Sequence, residues 1–403
     1  MANVVVSLFS IVLLCIIAAQ VRKEIYAYNE FPSSQVTNDS ICKTFVEPHG
    51  YKCEEHQVIT EDGYILSLQR IPAGRSVKAA SKPPVLLQHG VFIDAIVWVF
   101  NSLDESLAFI LADNGFDVWL SSTRGTKYSS GHVSLSPNEK AYWDWTWDDL
   151  VTHDLPASAN YVYNHTGQRL HYVGHSLGTL TALGALSQQQ LVNILRSAAL
   201  LSPIAHVDHI PSQPARFAAE KFIAEALYWL GLREFVPKGD VAAKFLATIC
   251  HSLKLNCRNV LSIFTGSNCC LNTSKVDLFL ENEPQPAATK NLIHLSQMLR
   301  KGRIAMYDYG HEEQNMKHYG QPTPPLYDMA NIPKEFPLFL AHGGRDMLSD
   351  VIDVQILLKD LKDHDVKKLV ELFIKDYGHA DFVMGINANK LVYDPVMAFM
   401  QAN

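Results

Sequence analysis

Ser176 stands at the centre of Gly174-His175-Ser176-Leu177-Gly178, a spacing that can make a serine hydroxyl a nucleophile. The flanks matter more than the five letters. Leu170 to Val173 is an apolar run that reads as a buried strand, and Thr179 to Leu186 has the small and apolar residues of a buried helix. A serine on so sharp a strand-to-helix turn takes a strained backbone conformation, and Gly174 and Gly178 leave room for the close approach. Its Oγ would stand at the carboxyl end of a sheet, with the Leu177 N–H at the positive helix start. Such a nucleophile needs a base and a group that orients the base. Asp346 follows a strand-like run, Pro337 to Ala341, and the turn Gly343-Gly344; His379 follows a later one, Lys368 to Ile374. Asp350 and Asp381 compete as the acid but rank lower, because neither directly follows a strand-to-Gly-Gly turn.

The chain order Ser176, Asp346, His379 is the order an α/β-hydrolase requires, since strand ends on one sheet bring the three together. Other segments supply that sheet. Glu54 to Thr60 and Tyr64 to Ile71 flank the turn Glu61-Asp62-Gly63 and read as an antiparallel pair. Pro84 to Gln88 is a short buried strand that runs into His89-Gly90-Val91, and Phe116 to Leu120 is the next. Between them Ser102 to Glu105 has the form of a capping box, with Leu107, Ile110 and Leu111 as the helical stripe behind it. Ala198 to Leu201 is another buried strand, and Ser349 to about Leu361 a helix. This alternation predicts an α/β fold with a mostly parallel central sheet and helices on both faces. From His206 to Ala330 the alternation lapses, which predicts an inserted, largely helical cap over residues 206–330 between core segments 21–205 and 331–403. The dense aromatics from Tyr142 to Trp147 read as packing at a helix start.

Composition bounds the partners. The 403 residues are 48% hydrophobic and 19% charged, enough for one large core with an insertion or for two domains, and the net charge of −7 argues against a phosphate-backbone partner. Nucleic acid is excluded. Val4 to Ala19 is an apolar run followed by polar Gln20-Val21-Arg22-Lys23, so residues 1–20 read as a cleaved secretory signal, and no later stretch is long and apolar enough to span a bilayer. Sequons at Asn38, Asn164 and Asn272 fit passage through the secretory pathway, to an extracellular or a vacuolar or lysosomal end point. Outside the signal six cysteines remain, of which Cys42 with Cys53 and Cys250 with Cys257 are the natural local pairs among fifteen arrangements. No spacing supports a metal site, His206 and His209 have no partner ligands in the sequence, and the chemistry needs no cofactor.

The motifs together resemble the acid lipase family of gastric and lysosomal lipases, and within it the plant triacylglycerol lipase members. The resemblance runs through Gly50-Tyr51-Lys52-Cys53, Asp62-Gly63-Tyr64, Leu86 to Gly90, Leu107 to Asp113, Asp117 to Leu120 and Asp154 to Ala157. It continues through His171 to Ser176, the cap stretches Tyr307 to Gly310 and His318 to Gly320 with Pro324-Pro325, and Gly343 to Asp346. It implies Ser176 as nucleophile, His379 as base, Asp346 as its orienter, and the backbone N–H groups of Val91 and Leu177 as the oxyanion hole. Cys250 and Cys257 lie where gastric members form a cap disulfide, although their spacing here is shorter. Animal members carry glutamine where this chain has Leu177, a difference without effect if only the backbone acts. The implied activity is hydrolysis of lipid esters, most of all triacylglycerols, with transient contact at a lipid interface. Steryl or wax esters, or acyl transfer to an alcohol, would use the same residues. A lipid-binding protein on a hydrolase scaffold is the reading from another class, and the intact Ser, Asp and His set weighs against it.

Overall fold

The computed structural model of the chain describes residues 40–76, 80–237 and 260–403. The signal at 1–20, Asn38, Cys250, Cys257 and residues 238–259 of the expected cap lie outside them. The expected hairpin is present as β1 (Glu54–Ile59) and β2 (Tyr64–Ile71), paired from Glu54 with Arg70 to Ile59 with Ile65. Then follow β3 (Pro84–Gln88), α1 (Leu107–Asp113), β4 (Asp117–Ser121), the short β5 (Gly131–His132) and α2 (Leu155–Thr166). The elbow strand β6 (Leu170–His175) leads into α3 (Leu177–Ser187), and β7 (Leu195–Leu201) follows.

Beyond β7 come α4 (Gln213–Glu220), α5 (Ile223–Trp229), β8 (Glu234–Phe235), β9 (Ala287–Ala288) and α6 (Thr289–Lys301). The strands β8 and β9 pair only with each other, and α6 packs on α4 and α5. The core resumes with β10 (Leu338–Gly343), α7 (Val351–Asp360), β11 (Leu369–Ile374) and α8 (Asp394–Ala402). Among the described residues the main sheet runs β1-β2-β4-β3-β6-β7-β10-β11, with β5 beside β2. It is parallel from β4 to β11 and antiparallel only at the β1, β2 and β5 edge. Residues 202–337 add no described strand to it, and β7 and β10 are direct neighbours.

Two cores explain why the central strands read as unbroken apolar runs. Leu86, Trp119, Tyr172, Leu200 and Leu340 face α2 and α3; Val85, Val118, Val173, Ala199 and Phe339 face the opposite way, towards α1 and α8. Strands buried on both faces leave no polar alternation to see. The helix at Leu107 starts later than expected. Ser102 is not its cap: the Ser102 carbonyl accepts from the Glu105 and Ser106 amides in a turn, and Ser106 precedes the helix. Residues of the expected first turn are engaged elsewhere, the Asp104 carbonyl by Asn389 and the Glu105 carboxylate by Asn272. The tryptophans behave as packing: Trp143, Trp145 and Trp147 are buried, and Thr146 and Asp149 form a reciprocal capping box at Trp147.

Cys42 is bridged to Cys53, and Cys269 to its neighbour Cys270. Asn164 is exposed on α2, whereas the Asn272 amide nitrogen donates to Glu105 at 2.8 Å. No helix among the described residues is long and apolar enough to cross a membrane.

Candidate active site

Ser176 has φ +55° and ψ −118°, the strained turn expected of the elbow. Neighbouring groups hold it there. Its N–H donates to the Leu201 carbonyl at 3.1 Å, and its own carbonyl accepts from the Thr179 hydroxyl at 2.6 Å. The close approach of glycines is real: a Cβ on Gly174 would lie 2.9 Å from the Gly178 carbonyl oxygen, and one on Gly178 would lie 2.7 Å from that of Gln88. Thus α3 can start against the end of β3 only because both positions lack a side chain.

The ends of β10 and β11 deliver the other two groups. His379 Nδ1 lies 3.0 Å from both carboxylate oxygens of Asp346, and the Asp346 side chain is wholly buried. Asp346 Oδ1 also accepts the Leu348 and Ser349 amides, each at 2.8 Å. The backbone of His379 is gripped from separate segments, its N–H by the Thr265 carbonyl at 2.9 Å and its carbonyl by His175 Nε2 at 3.0 Å. The opposite ring nitrogen, Nε2, is buried and has no hydrogen-bond partner among the described residues, Ser176 included.

The competing acids do other work. Asp350 caps α7 by accepting the Ile352 amide at 2.9 Å. Asp381 accepts the amides of Gly378, Cys269 and Cys270 at 2.7 to 3.0 Å.

Val91 follows β3 and Leu177 follows β6, and these strands are neighbours. Neither amide donates to an acceptor among the described residues. Both residues line a narrow cavity with Gly90, Phe92, Pro286 and Asn291. A Cβ on Gly90 would come 2.8 Å from Ser176 Cβ, so only glycine lets this loop pass the serine.

Several supporting residues were not singled out from sequence. His89 Nδ1 lies 2.7 Å from the Gly90 carbonyl, and its Nε2 accepts the Thr123 amide at 3.0 Å. Burial pushes its pKa down to about 4, so the ring stays neutral and can do both. Arg124, fully enclosed, donates through Nε to Asp154 at 2.7 Å and through Nη1 to Asp62 at 2.6 Å. The motif His89-Gly90 was visible, but nothing local marks Arg124 as buried. His206 and His209, partnerless in sequence, meet acids of α7: Asp360 and Asp353, each at 2.8 Å.

Three acid-rich groupings exist among the described residues: Cys269, Cys270 and Asp381; Asp62, Asp149 and His153; Asp208, His209 and Asp353. Their carboxylates are already engaged: Asp381 by backbone amides, Asp62 by Arg124, Asp149 by the Thr146 amide, and Asp208 and Asp353 by His209.

Comparison with known proteins identifies the family and the fold. Residues 42–102 match the family described as "Partial alpha/beta-hydrolase lipase region", and residues 83–385 match "alpha/beta hydrolase fold". Triacylglycerol lipase 2 of Arabidopsis thaliana is 47% identical over 92% of this chain and 90% of its own length. Gastric triacylglycerol lipase of Mus musculus is 36% identical over 87% and 89%. Among solved structures, a carboxyl esterase from Bacillus coagulans covers 87% of this chain and 98% of its own at a TM-score of 0.56 and 12% identity. A soluble monoglyceride lipase variant from Saccharomyces cerevisiae covers 91% and 99% at a TM-score of 0.53 and 15% identity. At those identities the likeness is one of fold; the sequence relatives carry the kinship, and by them the chain belongs to the acid lipase family of α/β-hydrolases.

Proposed function

We propose that the chain is a serine carboxylic ester hydrolase of the secretory pathway that cleaves lipid esters, triacylglycerols foremost. The observation that carries this reading is Ser176 at φ +55° beside a loop held to it by Gly90, with His379 and Asp346 paired at the ends of adjacent strands. In the proposed cycle His379 Nε2 takes the Ser176 proton as Oγ attacks the ester carbonyl. The oxyanion is met by the Val91 and Leu177 amides. His379 then passes the proton to the leaving alcohol, and water repeats the sequence on the acyl-enzyme. Asp346 holds the Nδ1 proton throughout and stabilises the imidazolium.

The substrate class rests on the names of the relatives and on residues 206–330, read as a cap. Pro286 and Asn291 of that segment close over Val91 and Leu177, which suits shielding an acyl chain from water. On the same segment Trp229 is 84% exposed and Leu230 and Phe222 about half, apolar side chains suited to a lipid interface. The Cys42–Cys53 bridge and the apolar amino-terminal run support the secretory route. The test is fluorophosphonate labelling of the parent and of Ser176→Ala, followed by a panel of triacylglycerols, steryl esters and phospholipids. Labelling and turnover that survive Ser176→Ala would sink the assignment. Product partition with added alcohol separates hydrolysis from acyl transfer.

A further inference from the structure

We infer that Glu283 is a positioning residue: from the inserted segment, paired with Asp94, it holds the Val91 loop in the shape that aims its amide at the reacting carbonyl. The inference rests on the ester-hydrolase reading of the Ser176 site.

The loop after β3 cannot hold this shape alone. Phe92, next to Val91, has φ +62°, a left-handed conformation that is unfavourable for a non-glycine residue and persists only where surroundings impose it. Two hydrogen bonds from the stretch before β9 impose it. Gln285 N–H donates to the Phe92 carbonyl at 2.8 Å, and Glu283 Oε1 accepts the Asp94 N–H at 2.9 Å. Gln285 is fixed in turn, its Oε1 accepting the Lys127 amide and its Nε2 donating to the Asn282 carbonyl. On the upstream side His89 grips the Gly90 carbonyl. Val91 therefore lies between a clamp from the core and a clamp from the insertion.

The chemistry of the second clamp is unusual, because it sets two acids together out of water. Asp94 and Glu283 are both buried, at 0% and 1% exposure. Asp94 Oδ1 accepts the Ile96 amide, but no donor among the described residues reaches Asp94 Oδ2 or Glu283 Oε2. Lys127 faces Asp94 and favours its anion; Gln285 faces Glu283 and is neutral. One cation cannot support two buried carboxylates, so burial, and for Glu283 the neighbouring Asp94, raises both acids and the pair retains a proton. The folded pair binds protons that the unfolded chain has already released. The clamp is thus strongest in acid and weakens as pH rises above the ordinary carboxylate range.

The test uses the full chain and a short, water-soluble nitrophenyl ester, so that lipid binding does not enter. Glu283→Ala removes the acceptor and should lower kcat on the order of a hundredfold with KM little changed, the effect of a small misplacement at the reacting centre. Glu283→Gln keeps an acceptor oxygen and has no proton to lose. It should restore kcat and carry activity to higher pH than the parent, as should Asp94→Asn. Thermal unfolding against pH is read in parallel, since it needs no turnover: the parent should lose stability as pH rises, and Glu283→Gln should lose less. A parent that shows this slope but never labels with fluorophosphonate overturns the hydrolase reading and keeps the clamp. An active parent whose kcat is untouched by Glu283→Ala overturns the clamp, as does a Glu283→Gln protein with the parent's pH profile and pH-dependent unfolding.

Discussion

His175 Nε2 donates to the carbonyl oxygen of His379 across 3.0 Å, so the residue preceding the elbow serine holds the backbone of the histidine proposed as its base. Burial lowers the His175 pKa to about 3, which keeps the ring neutral, and its Nδ1 has no partner among the described residues, which places the single proton on Nε2. His175→Phe fills the space without the donor and leaves only the Ser202 hydroxyl, at 3.5 Å, near that carbonyl. Stability should fall by about 1 to 3 kcal/mol in urea unfolding. An unchanged midpoint and slope would remove His175 from this role.

Asp346→Asn should keep the fold and reduce turnover by roughly four orders of magnitude, because an amide beside Nδ1 favours the wrong tautomer. Asp381→Asn should do the reverse. Its carboxylate serves three backbone amides that an amide oxygen cannot all reach, so the loss should appear in thermal unfolding before it appears in kcat. Kinetics on the two variants that exchange these outcomes would exchange the roles.

Val91→Ala should retain most activity, since only the backbone N–H is used. Val91→Pro removes that donor and should cost about 2.7 to 4 kcal/mol of transition-state stabilisation, a hundred- to thousandfold in turnover. The comparison is made on variants whose circular dichroism and unfolding match the parent. Equal turnover would move the donor elsewhere in Gly90 to Ile93.

Arg124→Met should cost about 3 to 5 kcal/mol in denaturant unfolding, because it strands the buried Asp154 carboxylate, while Asp62 can turn to solvent. Adding Asp154→Leu should recover part of the loss. A second substitution that deepens it would show that the pair is not the cause.

Asp148 links the core to the insertion, accepting the Tyr307 amide and the Tyr327 hydroxyl, each at 2.8 Å. Burial pushes its carboxyl up to about 7, above the unfolded value near 3.9. The folded state therefore holds a proton that the unfolded chain releases first, and this contribution is full below about pH 4 and lost as pH rises to about 7. Asp148→Asn mimics the protonated form. Its melting temperature should match the parent near pH 4 and exceed it near pH 7; a constant difference across that range would refute the linkage.

What could be read from the chain follows burial and locality. The strands leading to Ser176 and Asp346 announce themselves because both faces are covered, the half-exposed edge strand before His379 by its apolar residues alone, and each candidate residue follows a strand end, a position that order along the chain reveals. The pairs Asp94 with Glu283, His175 with His379 and Asp148 with Tyr327 join segments far apart in sequence, and no periodicity encodes them. Even local reasoning failed at Ser102, where tertiary contacts of Asp104 and Glu105 outweighed a good capping pattern.

The direct pairing of β7 with β10, across the whole insertion, also sets a timetable. During synthesis the serine leaves the ribosome well before the acid and the histidine, which ride on the last two strands. A nascent chain can fold its amino-terminal strands around Ser176 yet hold no base for it, since the central sheet stays open on the β7 side until β10 arrives. On the proposed roles, the serine gains its base and the acid that orients it only when β10 and β11 have been made, and a chain released before them lacks both.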